Sequence, residues 1–306
     1  MTSQVSPSIA GQQPSGLKRL RNLVISGVLV FLVVLIMLTL FQRKLMFYPD
    51  RVTELGVPGP GVRAVQTTTR DGIVLNGWHW SSRPHAEDHA AGLTVLFFHG
   101  NAGHRAHRVE ICQLLTSLGL DVLIFDYRGY AENAGSPSEQ GLADDAQAIW
   151  NYATQQAQLQ PERLLIYGES LGGGVGTRLA AECSQAGTPP AGLILRSTFS
   201  SMLDTAAHHY PWLPVRWLLV DRFLSVTHMA NVTCPCLMFH GTRDRVVPLE
   251  LGRRLFDSVP ERSASGVSRR FIELDAAGHN DVLATSKPQV RSGLIAFIEE
   301  LGQPAG

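Results

Sequence analysis

The sequence predicts an α/β fold built on a mostly parallel sheet, and three observations carry that expectation. Short apolar runs without alternation recur as LTVLFF (93–98), DVLIFD (121–126), RLLIYG (163–168), GLILRS (192–197), CLMFHG (236–241) and RFIEL (270–274). Segments of helical character stand between and after them, at 104–118, 138–157, 171–184, 249–257 and 287–301. Continuous apolar strands alternating with helices imply a parallel sheet covered on both faces. Ahead of them, VQTTTRDGIVLNGWHW sets two strand-like runs around Asp71-Gly72, a hairpin signal that makes the opening of the sheet antiparallel.

The elements follow in order. Residues 1–22 read as a disordered tail, rich in Ser, Gln, Pro and Gly over its first 16 residues. Leu23 to Phe41, LVISGVLVFLVVLIMLTLF, contains no charge; as a helix it would span about 28 Å, close to a bilayer core. Lys18, Arg19 and Arg21 precede it, and Arg43 and Lys44 follow. A cleaved signal peptide would have a shorter apolar region and a small-residue cleavage site, and QRKLMFYPD offers none. The run is therefore expected to be a membrane anchor; its flanking charges nearly balance and leave the side of the membrane undecided. Residues 42–61 are expected to be a linker and 62–306 a single domain. The alternation fails only at 200–228, where an insertion separates two strands.

Composition excludes several classes. Lys plus Arg equals Asp plus Glu, at 26 each, so nothing electrostatic argues for nucleic acid as a partner. Four cysteines in 306 residues do not make a disulfide framework and are expected as buried thiols. No Cys/His spacing resembles a zinc site, so neither a metal nor an organic cofactor is expected.

In parallel sheets, chemistry gathers at the carboxyl ends of strands. There the sequence places HGNAG, DYRGY, GESLG, STF, HGTRD and AGHND. GESLG puts Ser170 in G-x-S-x-G between an apolar strand and a helix, the setting of a nucleophile elbow. The turn is sharp, and Gly168 and Gly172 supply the room it requires. A serine hydroxyl is a weak nucleophile and needs a base, which in turn needs an orienting acid. His279, in the loop after the last strand, is the base of choice over His240, His208, His209, His104, His107, His85 and His89. Asp244, after the preceding strand, is the acid of choice, with Asp204 as competitor and Asp281 set aside for its closeness to His279. An oxyanion hole needs two fixed amides; Leu171, after the nucleophile, and Asn101 in HGNAG are the candidates.

With these motifs in hand, residues 62–301 resemble an α/β-hydrolase. The anchor followed by QRKLMFYPD, HGNAGHRAHR, DYRGY, GSPSEQG, GESLGGGV, HGTRDRVVP and GHND is similar, more narrowly, to alpha/beta-hydrolase-domain-containing protein 13 and its bacterial and fungal relatives. The resemblance implies the same Ser170, Asp244 and His279 set on a membrane-tethered serine hydrolase, whose family members carry esterase, thioesterase or peptidase-like labels. Where many relatives read R-G-Y-G, this chain has Arg128, Gly129, Tyr130 and Ala131, and that loop is assigned no substrate contacts.

The expected reaction is cleavage of an ester or thioester, with an amide as a third option, through an acyl-serine. The acyl group would be a small-molecule or lipid-like one. Two alternatives belong to other classes: a non-catalytic membrane-tethered binding protein on the same scaffold, and an acyltransferase using the same three residues. The insertion is dense in aromatics and leucines. Trp212, Trp217, Leu218 and Phe223 are expected to form an apolar pocket beside Ser170, against packing on the sheet or contact with a membrane surface helped by Arg216 and Arg222.

Overall fold

A computed structural model describes residues 16–82 and 92–302. The first 15 residues of the expected tail, together with His85 and His89, lie outside the described residues. The chain divides into two compact units, Met1–Gln42 and Arg43–Gly306.

The first unit is most of one helix, Gly16–Met46, whose last turn belongs to the second. This helix is long and apolar enough to cross a membrane. It overruns the expected anchor at both ends. Leu17, Lys18, Arg19, Leu20 and Arg21 before the apolar run, and Gln42 to Met46 after it, are good helix formers that give the helix no reason to stop. The boundary of the expected tail at residue 22 therefore falls inside a helix.

The second unit holds an eight-stranded sheet: β1 (Val62–Thr68), β2 (Val74–Trp80), β3 (Thr94–Phe98), β4 (Asp121–Phe125), β5 (Leu164–Glu169), β6 (Gly192–Arg196), β7 (Cys236–Gly241) and β8 (Arg270–Leu274). The spatial order is β1-β2-β4-β3-β5-β6-β7-β8. β1 and β2 form the antiparallel hairpin, with Gly72 at a positive φ in its turn; β2 also runs antiparallel to β4, and every other pairing is parallel. Side chains alternate between two apolar layers, as two covered faces require. Leu96, Phe98, Ile166, Leu195 and Met238 pack beneath the helices Glu139–Asn151 and Leu171–Gln185. Val95, Phe97, Leu165, Ile194, Leu237 and Phe239 face the helices Val109–Ser117 and Val282–Leu301. Each of these fully buried side chains contributes about 1.5–3 kcal/mol of burial free energy. The last helical segment, Val282–Leu301, is kinked at Ser286, which leaves helical geometry (φ −135°); the longer stretch starts after the kink at the expected 287, with Pro288 in its first turn where a proline is tolerated, and a short turn from Val282 precedes it. All four cysteines are buried with free thiols.

The insertion folds as three short helices, Met202–His209, Val215–Leu218 and Ser225–Met229, interrupted where Pro211 and Pro214 stand.

The expected linker is a correction. Met46 and Phe47 are buried, and Tyr48–Pro49 pairs in parallel with Ala102–Gly103. Arg43 donates from Nε to Asp221 in the insertion (2.7 Å), and Phe47 meets Phe223 edge-on at 6.4 Å. Arg51 donates from Nε and Nη2 to the carbonyls of Gly129 (3.1 Å) and Gly135 (2.9 Å). Residues 43–52 are thus part of the folded domain, tied in by backbone pairing and aromatic burial that leave no periodic trace in ten residues of sequence.

Candidate active site

The strand β5 ends at Glu169, and the helix Leu171–Gln185 begins two residues later. Ser170 makes the turn alone, at φ 52° and ψ −114°, a region L-residues avoid unless the surroundings impose it. A Cβ on Gly168 would meet the Gly172 carbonyl oxygen at 2.6 Å, and one on Gly172 would collide with the Phe98 carbonyl. These two glycines let helix, elbow and β3 approach one another, as the motif predicts. Thr198 donates its hydroxyl to the Ser170 carbonyl (2.8 Å), and the Ser170 amide donates to the Arg196 carbonyl (2.9 Å), fixing the strained residue from both sides.

His279 and Asp244 arrive from the loops after β8 and β7. His279 Nε2 lies 3.0 Å from Ser170 Oγ, and His279 Nδ1 lies 2.7 Å from Asp244 Oδ2. The other carboxylate oxygen of Asp244 accepts from the amides of Val246 (2.9 Å) and Val247 (2.8 Å), so the carboxylate cannot rotate freely. The acid is buried. Its competitors are occupied elsewhere: Asp204 accepts from Ser200 Oγ (2.7 Å) and pairs with Arg254 (3.2 Å), and Asp281 accepts from the Gly278 amide (2.6 Å). His240 is buried behind the acid with Nε2 against the Val247 carbonyl (2.9 Å); burial pushes its pKa down, which leaves it neutral and donating.

Of the oxyanion candidates, Leu171 opens the helix, where free amides and the helix dipole favour negative charge. Asn101 is held at two of its groups. Its carbonyl accepts from the Tyr48 amide (3.0 Å) and the Tyr130 hydroxyl (2.8 Å), and its Nδ2 donates to the Met46 carbonyl (2.8 Å). Gly100, one residue before it, would place a Cβ 3.6 Å from Ser170 Cβ. Two of the residues that hold Asn101 come from the segment that read as linker, and Tyr130 comes from the loop to which no role was assigned. Ala131 in that loop stands at φ 46°, a conformation that suits the glycine of the commoner R-G-Y-G. Its amide donates to the Asp50 carbonyl (3.0 Å) and its carbonyl accepts from the Val52 amide (3.2 Å), which hold it there.

The pocket expectation is corrected for two of its four residues. Trp217 is 88% exposed and Trp212 65%, so neither lines an enclosed pocket; Phe223 is in the core against Phe47 and Gly174, and Leu218 is half-buried. Composition could not decide this, because helices of four or five residues have no face long enough to predict.

One network went unread in the sequence. Glu169 accepts from Arg108 Nη2 (2.8 Å) and Arg196 Nη2 (2.5 Å) directly beneath the elbow. Glu169 and Arg196 are register partners on adjacent strands, a pairing visible only once the strand order is known. Burial works against the charged carboxylate, but Arg196 and Arg108 outweigh it and hold its pKa at about 2. Because the folded value lies below the ordinary 4.5, the contribution is present above pH 4.5 and is lost as pH falls through about 2. It amounts to about 3 kcal/mol, at 1.36 kcal/mol per unit. Glu169→Gln is expected to destabilise the fold at neutral pH by about 3 kcal/mol, since it leaves the buried Arg196 and the half-buried Arg108 short of a counter-charge. Its acid unfolding should also be flatter than that of the wild type. Denaturant unfolding from neutral pH to about 3 checks both; parallel curves for the two proteins would remove Glu169 as the cause.

Asp50, His104 and His107 also converge, with ligand-type atoms within 4.8 Å of one another. Their hydrogen bonds oppose metal binding. His104 Nδ1 accepts from the Ala106 amide and His107 Nδ1 from the His104 amide, both at 3.2 Å, so in the neutral rings each proton sits on Nε2, which is the atom facing Asp50. A metal at Nε2 would require both backbone bonds to break. The set reads as a cap on the loop that carries Asn101.

The Hydrolase_4 family model, described as serine aminopeptidase, S33, matches residues 89–226. The uncharacterized protein Rv2307c of Mycobacterium tuberculosis is 40% identical over 261 residues, 85% of each chain. The lysophosphatidylserine lipase ABHD12 of Danio rerio is 36% identical over 221 residues, 67% of this chain and 57% of the lipase, so the match spans little more than half of that relative. Among solved structures, the Pyrococcus furiosus esterase PF2001 superposes with a TM-score of 0.64 at 18% identity, over 84% of this chain and 98% of the esterase, a likeness of fold.

Proposed function

We propose that this chain, which belongs to the α/β-hydrolase superfamily, is a membrane-anchored serine hydrolase that cleaves a carboxylic ester of a lipid-like molecule through an acyl-serine. The observation that carries the reading is the unbroken relay Ser170 Oγ, His279 Nε2, His279 Nδ1, Asp244 Oδ2, at 3.0 and 2.7 Å, on a serine held at positive φ. The lipase relative supports the lipid-like acyl group, and the apolar helix supports the anchor.

The chemistry follows from the protonation pattern. Asp244 accepts the Nδ1 proton of His279, which leaves Nε2 with a lone pair facing Ser170. As Oγ attacks the acyl carbon, its proton passes to Nε2, and the imidazolium is stabilised by the buried carboxylate. The Leu171 and Asn101 amides receive the developing oxyanion. His279 then protonates the leaving alcohol, or the leaving thiol of a thioester. In the second half, water adds to the acyl carbon with His279 again as base, releasing the acid and restoring Ser170. A fluorophosphonate probe tests the reading: a single adduct on the peptide carrying Ser170, lost in Ser170→Ala, is the expected result. No adduct on the folded protein would leave a binding protein on a hydrolase scaffold instead.

The packing of residues 43–52 makes a further prediction. Removal of residues 1–42 is expected to abolish resistance to carbonate extraction and leave ester turnover intact, because the folded unit starts at Arg43. Removal of residues 1–52 takes away Phe47, Tyr48 and the Met46 carbonyl, and with them the support of Asn101. Losing one oxyanion donor costs on the order of 10²–10³ in kcat. Parallel kcat and Tm measurements on the two truncations check this, and equal turnover by both would dismiss the support role.

A further inference from the structure

We infer that the insertion docks on the lipid bilayer, with Tyr210, Trp212 and Trp217 seated at the headgroup boundary. The inference rests on the reading of Leu23–Phe41 as a membrane span. Within the folded unit, Arg43, two residues past the end of that apolar run, is bonded through Nε and Nη2 to both carboxylate oxygens of Asp221, at 2.7 and 3.2 Å. Asp221 belongs to the insertion. Phe47 meets the insertion a second time at Phe223. A charged residue just past a span lies at headgroup depth, so the segment of the insertion bonded to it lies there too. Trp217 is four residues before Asp221, and four residues of chain reach at most about 14 Å.

The chemistry of that segment fits the boundary. Tyr210, Trp212 and Trp217 are 52%, 65% and 88% exposed, within eight residues of one another in sequence. An indole left this far out in water forfeits most of its burial free energy, whereas Trp and Tyr are the side chains enriched at both edges of a bilayer, where an apolar ring and a polar tip are satisfied together. Arg216 is exposed between the two tryptophans and supplies a cation for lipid phosphates. Arg222 is used otherwise: it donates to the carbonyls of Leu219 (3.0 Å) and Arg216 (3.1 Å) and so caps the short helix that presents Trp217. These bonds fix the backbone of the short helix on which Trp217 stands exposed.

The test uses the full chain in vesicles of phosphatidylcholine and phosphatidylglycerol whose acyl chains are brominated near the headgroup, with tryptophan emission as the readout. Trp78, Trp80 and Trp150 are buried and give the unquenched background. Brominated vesicles are expected to quench the emission relative to plain ones, and Trp212→Ser/Trp217→Ser to lose that quenching while floating with the vesicles and unfolding at the wild-type temperature. The wild-type measurement needs no variant: a protein that floats with the vesicles, resists carbonate extraction and yet is unquenched overturns the docking and leaves the anchor standing. A protein that carbonate strips from the vesicles overturns the anchor and the docking together.

Discussion

Ser170→Ala and His279→Ala are each expected to lower kcat for ester hydrolysis by on the order of 10⁶, and the double variant by no more than either alone. The reason is that the two side chains perform one step. Oγ attacks only as fast as Nε2 takes its proton, and the 3.0 Å contact makes that transfer direct. Removing one partner makes the other irrelevant, so the losses do not add. Neither change should unfold the protein. Ser170 owes its strained φ to its neighbours, through Thr198 and the Arg196 carbonyl, and neither bond involves its hydroxyl. A residual rate above the uncatalysed one is expected, since the Leu171 and Asn101 amides can still stabilise attack by water. Turnover of the pure, folded Ser170→Ala protein within tenfold of wild type would sink the assignment, and additive losses in the double variant would deny that serine and histidine act in one step.

The sheet and the elbow were legible because each rests on local chemistry. Six apolar runs became β3 to β8 almost to the residue, since a strand buried on both faces leaves an unbroken hydrophobic signature. The order Ser170, Asp244, His279 could be read because residues at the carboxyl ends of parallel strands converge whatever the intervening helices do. What could not be read depends on partners distant in sequence. Residues 43–52 look like loop, and their place in the domain comes from pairing with Ala102–Gly103 and bonding to Asp221. Glu169, one residue before Ser170, carries no sign of Arg108, 61 positions away. The aromatics of the insertion announced only that a surface is apolar. Whether that surface turns inward as a pocket or outward, as Trp217 does, is set by helices too short to have a periodicity.

Asp244→Asn is expected to keep the fold and lose about 10⁴ in kcat, more than simple removal of a charge would cost. The geometry of the carboxylate gives the sign. One oxygen accepts two backbone amides, from Val246 and Val247, at 2.9 and 2.8 Å. An asparagine in the same place must offer its carbonyl oxygen to those two donors, because turning its NH₂ toward them would bury two clashing pairs of donors. That choice leaves the NH₂ facing His279 Nδ1, where Asp244 now accepts at 2.7 Å. Nδ1 must then accept instead of donate, so the imidazole proton moves to Nε2. The atom 3.0 Å from Ser170 Oγ becomes a donor and can no longer take the serine proton. The ring stays in place while its function is inverted, so the loss should fall on kcat, with KM and Tm close to wild type. Asp204→Asn, which alters only the contacts to Ser200 and Arg254, serves as the control and should leave kcat within threefold of wild type. A larger loss from Asp204→Asn than from Asp244→Asn would move the acid to the other loop.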